Sequence, residues 1–321
     1  MKNKLLALLM AFITLFGLVS CSSGPWIPNY DSISFESLDK TTECTPLLYK
    51  VTDGKGAVLY LLGSIHIGDE RTQSMPDYVM EAYDASSYIC VEANIVAYEK
   101  DVAKQMEDLK DLLCEEGKTI KDYLGEDLYL PARKFLQSRG LYNAVYDMYK
   151  PALWSSLLDE AVSSYTDLES EYGVDRFFIN KAAAEGKEIR EVESVDFQND
   201  MMNGFSDELY RLMISDMVYY PKSNVENLLS MYETWLRGDE AAIEEMLKID
   251  YTGAPEEQVK LFTDYNKTMI TDRNVGMANK AEEYMADGGT GFYIVGLAHV
   301  AGKGALAELL RGRGYTVEKV S

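Results

Sequence analysis

Two apolar runs in this chain end in the same way. Residues 57–62, Ala-Val-Leu-Tyr-Leu-Leu, lead into Gly63-Ser64-Ile65-His66, and residues 291–295, Gly-Phe-Tyr-Ile-Val, lead into Gly296-Leu297-Ala298-His299. Short apolar runs bounded by turn residues read as buried strands. A strand that stops at a glycine delivers the next residues to one edge of a sheet. His66 and His299 are the only histidines in the chain. Imidazole titrates near neutrality and is the commonest metal ligand. The repeated strand-Gly-x-x-His device therefore predicts one site assembled from both ends of the chain. The competing reading is two unrelated buried histidines, since so short a motif is only a hypothesis.

Residues 1–20 read as an export signal: Lys2 and Lys4 are followed by an apolar stretch over 5–18 and the small residues Ser20-Cys21. Leu18-Val19-Ser20-Cys21 resembles a bacterial lipobox. That resemblance implies cleavage before Cys21, lipid on its thiol and new amino terminus, and an extracytoplasmic protein anchored to the cell membrane or outer membrane. Residues 21–43, opening on polar Ser22-Ser23-Gly24-Pro25, read as a tether. Burying an acyl chain gains about 0.8 kcal/mol per CH₂, so lipid can hold a protein without a spanning helix.

The formal net charge of −22 becomes about −24 once the two lysines of residues 1–20 are removed. This balance excludes a nucleic-acid partner, which needs a basic footprint. It also leaves any membrane grip to the anchor. Cys44, Cys90 and Cys114 follow Cys21. Cys90 lies in an apolar run and reads as a buried hydrophobe, whereas a Cys44–Cys114 bridge depends on geometry that sequence does not supply. No Cys-x-x-Cys spacing supports a thiolate zinc site.

The ends of the chain read as α/β. Residues 47–51 and 57–62 predict a hairpin around Asp53-Gly54. Residues 76–86 predict a helix and 88–91 a strand ending at Glu92. Further on, 268–287 predict a helix, 292–295 a strand, 302–311 a helix and 315–320 a final strand. The middle, about 96–254, is rich in Glu, Lys, Leu, Met and Tyr at helical spacing, with one strand candidate over 188–192. The predicted fold over 44–321 is a mixed central sheet with flanking helices and a large helical insertion between two strand-Gly-x-x-His halves.

With these segments placed, the chain resembles the TraB/GumN family, related to the Tiki membrane metalloproteases. The motifs carrying the resemblance are Gly63 to Gly68 with His66, Val91-Glu92, Gly173-Val174-Asp175 with Glu193 and Gln198, Arg273-Asn274 with Met277-Ala278, and the closing block from Val295 through His299 to Val317. It implies an α/β core and a site built from both Gly-x-x-His motifs and the acids. Some relatives are metal-dependent proteases of secreted signalling proteins, others are tied to peptide-pheromone shutdown, and many have no assigned activity.

Two imidazoles and a carboxylate are a common set for a hydrolytic metal site, and ligands of open α/β sheets gather at the carboxyl ends of strands. His66, His299 and Glu92 are accordingly the expected ligands of a divalent ion, with Mn, Co or Zn all compatible. Glu193 is a candidate general base or further ligand. Arg273 is a candidate oxyanion stabiliser or, equally, an ion-pair partner of Asp175 or Glu193. Asp175 and Asn274 are supporting residues, and Asp175 also suits the first turn of a helix. Glu92 has the alternative role of capping the helix after it. Gly63 and Gly296 are expected to let the backbone turn tightly and bring the imidazoles inward. A metal-free acid/base pair of His66 and Glu92 is a further option. The expected activity is metal-dependent hydrolysis of extracytoplasmic peptides or proteins. The alternatives are a non-catalytic lipoprotein that sequesters a peptide and, more weakly, a haem or metal carrier.

Overall fold

The computed structural model describes residues 27–35 and 39–321. The export signal, Cys21 and the 22–25 start of the tether lie outside the described residues. The predicted hairpin forms from β1 (Leu48–Thr52) and β2 (Val58–Ser64), paired antiparallel. Its turn is held by Asp53, whose Oδ1 accepts from the N–H groups of Lys55, Gly56 and Ala57 at 2.8–3.1 Å. Four further strands, β3 (Tyr88–Val91), β4 (Glu188–Glu191), β5 (Thr290–Gly296) and β6 (Thr316–Val320), complete one sheet of order β4-β3-β5-β2-β1-β6. β4, β3, β5 and β2 are mutually parallel, and β1 runs antiparallel to both β2 and β6. β3 and all but the first residue of β5 are buried, the pattern of strands covered on both faces.

Two apolar cores divide the molecule. One surrounds the sheet and includes Leu59, Ile89, Phe178 and Phe292. The other lies between helices and includes Leu124, Phe135, Trp154, Leu158 and Ile214. The Pro151–Ser163 helix is buried almost all round and forms the spine of the second core. The helices of the stretch 96–254 serve both cores. Its Val174–Glu185 helix packs Val174, Phe178, Ile179 and Ala182 on the sheet and leads into edge strand β4. Its Pro221–Arg237 helix bridges both cores, with Val225 in the helical one and Tyr232, Trp235 and Leu236 on the sheet.

Other expectations shift for identifiable reasons. The tether is not free over its described part: Tyr30 is buried, stacks on Phe135 at 4.5 Å and donates its hydroxyl to the Val218 carbonyl. The helix predicted over 302–311 starts only at Leu306, because Gly302 and Gly304 take positive φ values of 100° and 73° that an α-helix cannot use. The helix predicted over 268–287 opens with a π-helical segment, Lys267–Asp272, before the α-helix Arg273–Ala286. Cys44, Cys90 and Cys114 are all free thiols, so no Cys44–Cys114 bridge forms; Cys90 is buried as expected. No helix among the described residues is long and apolar enough to cross a membrane.

Candidate functional site

Strands β2 and β5 lie side by side with Gly63 opposite Val295 and Ser64 opposite Gly296. This register sets the two Gly-x-x-His motifs next to each other at the carboxyl edge of the parallel strands. β3 flanks β5 on the other side, and Glu92 is the residue that follows it. β4 flanks β3, and the Glu193 N–H donates to the Glu92 carbonyl at 2.8 Å. One sheet edge therefore collects His66, His299, Glu92 and Glu193, as the strand-terminal placement anticipated.

Gly296 marks the meeting point. A Cβ built there would lie 3.2 Å from Glu92 Oε1, 3.7 Å from His299 Cδ2 and 3.9 Å from His66 Nε2. Neither Gly63 nor Gly296 has a positive φ, which corrects the expectation of tight glycine turns. Both instead permit close approach. A Cβ on Gly63 would come within 2.7 Å of Leu297 Cδ1, and one on Gly296 would intrude between the acid and the imidazoles. Gly173 acts similarly, since a Cβ there would meet the His66 carbonyl oxygen at 2.5 Å.

Each imidazole is held by its Nδ1. His66 Nδ1 lies 2.7 Å from Asp175 Oδ2, while Asp175 Oδ1 accepts from the Ser64 hydroxyl at 2.9 Å. Asp175 occupies the first turn of the Val174–Glu185 helix, so both of its expected roles coincide. His299 sits on the single helical turn Leu297–Val300, with its Nδ1 2.7 Å from Asn274 Oδ1. The Asn274 amide nitrogen donates to the Gly304 carbonyl, which turns its oxygen toward the ring. His299 therefore carries its proton on Nδ1. Among the described residues neither Nε2 has a hydrogen-bond partner. Locking Nδ1 on an oxygen acceptor is the arrangement that fixes metal-ligating histidines.

The two rings differ electrostatically. Burial pushes His299 down to about 3, assisted by the nearby Arg273 cation. Burial also opposes charge on His66, but Asp175 and then Glu92 outweigh it and raise His66 to about 9. Burial disfavours ionised Glu92 as well; Arg273, both histidines and the Gly296 N–H overcome this and hold the carboxyl down at about 2.

Glu92 does not cap the following helix, whose N-cap is Asn94. Its Oε1 accepts the Gly296 N–H at 2.6 Å, and its Oε2 accepts from Arg273 Nη2 at 2.6 Å and Gln198 Nε2 at 3.2 Å. Arg273 also donates Nε and Nη2 to Glu193 and Nη1 to the Met269 carbonyl of the π-helical segment. Of its two expected partners Arg273 thus takes Glu193 and not Asp175, and it adds Glu92, clamping the two acids together. Gln198 bridges the same acids, donating to Glu193 Oε2 at 3.0 Å.

Among the described residues no three His, Cys, Asp or Glu side chains already form a group able to hold an ion. The donors that suit a divalent ion are the two free Nε2 atoms. Glu92 Oε1 lies beside them with one N–H already bound. Sequence reading did not single out Ser64, which holds Asp175, or Trp235, whose indole N–H donates to the Gly63 carbonyl at 2.8 Å. It also passed over Asp159, which lines a cavity with His66. The signal for Asp159 was present: an acid follows Leu157-Leu158 directly in a helix whose other buried positions are apolar or serine.

No curated protein and no solved structure matches the chain. A family model described as the TraB/PrgY/gumN family matches residues 47–319, a span containing the sheet up to the last residue of β6 and His66, Glu92, Asp175, Glu193, Arg273 and His299. The chain therefore belongs to the TraB/PrgY/gumN family.

Proposed function

We propose that this protein is a metal-dependent hydrolase acting on extracytoplasmic peptides or secreted proteins, held at a membrane by lipid on Cys21. The observation that carries the reading is the pair of imidazoles from opposite ends of the chain, each fixed through Nδ1, with His66 Nε2 and His299 Cδ2 lying 3.9 and 3.7 Å from the Cβ position that Gly296 leaves open. His66 and His299 would hold the ion, leaving positions for water and substrate. When bound, such an ion supplies Lewis acidity for attack of water on a scissile carbonyl.

The chain's own residues do the positioning. Asp175 and Asn274 fix the ring orientations. Glu92, kept ionised by Arg273, presents Oε1 as an acceptor that orients water rather than as a strong base, because a carboxyl held at about 2 has little proton affinity at neutral pH. Arg273 is a positioning residue, since its donors are directed to Glu92, Glu193 and Met269. Gly296 leaves space where a side chain would block the approach.

The test is metal analysis of the purified protein after stripping and reloading with Mn²⁺, Co²⁺ or Zn²⁺, followed by a peptide-library cleavage assay. His66→Ala and His299→Ala should each lose bound metal and cleavage while keeping the wild-type circular dichroism. Cleavage that persists in both variants overturns the reading.

A further inference from the structure

Behind His66 lies a cavity of about 90 Å³, walled by Asp159, Asn224, Leu228, Met231 and Trp235. Several hydrogen-bond donors of its wall are directed elsewhere. Ser64 Oγ donates to Asp175, Ser163 Oγ to the Asp159 carbonyl at 3.0 Å, and Trp235 Nε1 to the Gly63 carbonyl. Asn224 Nδ2 donates to Asp216 Oδ2 at 2.9 Å and the Tyr220 carbonyl at 3.0 Å. For a ligand the wall keeps acceptors in the Asp159 carboxyl and Asn224, beside the Asn227 amide and the His66 ring.

Asp159 is only 8% exposed, yet no cation or hydrogen-bond donor among the described residues engages its carboxyl. No sealed side-chain oxygen or nitrogen lacks a partner among the described residues, so a carboxyl with none faces the open space of the cavity. A buried acid without a partner is costly wherever it is ionised. Its natural complement is a cationic donor that enters from outside. The apolar walls from Leu228, Met231 and Trp235 suit the methylene stem that carries such a group.

We propose that this cavity is a recognition pocket for a primary ammonium group of the substrate, from a lysine side chain or a peptide amino terminus, received by Asp159. The word substrate rests on the hydrolase reading; the pocket chemistry does not. Burial raises Asp159 well above the usual carboxyl range, and an ammonium bound beside it favours the ionised form. Any proton that Asp159 carries in the free protein is released to solvent when the ammonium binds, leaving a carboxylate–ammonium pair. The neighbouring ionisable groups are Tyr210 and Tyr265, both raised by burial, with Asp216 behind Asn224 and His66 on the same wall. None of the tyrosines or acids supplies a competing cation, and the His66 ring is already paired through Nδ1 with Asp175 at 2.7 Å.

The test is calorimetry on the full chain with three probes: Nα-acetyl-lysine methylamide, leucine amide with its free amino terminus, and Nα-acetyl-norleucine methylamide. Binding of the first or second identifies the source of the ammonium, and the third should bind at least about ten-fold more weakly. Asp159→Asn, isosteric with the neutral acid, should weaken amine binding by about ten-fold or more and abolish the proton release read from buffer-dependent heats. Asp159→Leu should do the same, with circular dichroism confirming both folds. The proposal is overturned by equal binding of the norleucine probe, by undiminished amine binding in Asp159→Asn, or by no binding of either amine. Peptide cleavage without an Asp159-dependent preference for an ammonium leaves the hydrolase reading and removes the pocket. Asp159-dependent amine binding without any cleavage does the reverse.

Discussion

Arg273→Met tests the electrostatic logic of the sheet edge. The guanidinium is 6% exposed and joins Glu92 at 2.6 Å to Glu193 at 2.8 Å. Methionine keeps much of the stem volume but strands two acids. Removing one partner from a buried ion pair costs about 3–5 kcal/mol. The Glu92 shift yields a similar figure: burial works against its charge, but chiefly Arg273 brings it from an ordinary 4.5 to about 2. At 1.36 kcal/mol per unit, this is about 3 kcal/mol. The sign follows from linkage. A depressed carboxyl stabilises the fold above its unfolded value near 4.5, and that contribution is lost as pH falls through about 2. In the variant the stranded acids can instead take up protons. Urea unfolding followed by tryptophan fluorescence should show a deficit of about 3–5 kcal/mol at pH 7 that shrinks toward pH 4. Adding Glu193→Gln to Arg273→Met should restore part of it. A variant within about 1 kcal/mol of wild type at pH 7, or a deficit independent of pH, would refute the clamp.

Three other perturbations probe separate features. Gly296→Ala should cut metal affinity and any hydrolysis while changing stability by no more than about 2 kcal/mol, since its φ of −51° suits alanine but its methyl would sit 3.2 Å from Glu92 Oε1; unchanged metal binding, read by isothermal titration, argues against the meeting point. Asp175→Asn keeps a hydrogen bond to His66 but removes the charge that lifts it, so the His66 pKa in metal-free protein should fall from about 9 by at least about one unit in an NMR titration. An unmoved titration would assign the shift to Glu92 instead. Burial raises Asp216 from 3.8 to about 6 against the Asn224 hydrogen bond, so its folded state holds the proton more tightly. The resulting cost is absent below about pH 4 and complete above about pH 6, and Asp216→Asn should therefore gain up to about 2–3 kcal/mol on wild type across that window in thermal unfolding.

Local pattern carried much of this protein. The apolar runs before Gly63 and Gly296, the Asp53 turn and the strand ending at Glu92 were legible because strand, turn and burial each leave a trace within a few residues. The family motifs named the acids and Arg273 for the same reason. The partners of these groups left no such trace. Asp175 reaches His66 across 109 positions and Arg273 reaches Glu92 across 181, and such pairings depend on which strands become neighbours. Only the β2–β5 register brought the two histidine motifs side by side, gave Gly296 its role as open space and turned Arg273 into a clamp. Only the packing of helices against that edge exposed Asp159 to a cavity beside His66. The chain's periodicity determined which segments would be strands and helices; side-chain chemistry at the site was decided by contacts between segments far apart in sequence, where burial and charge act through space.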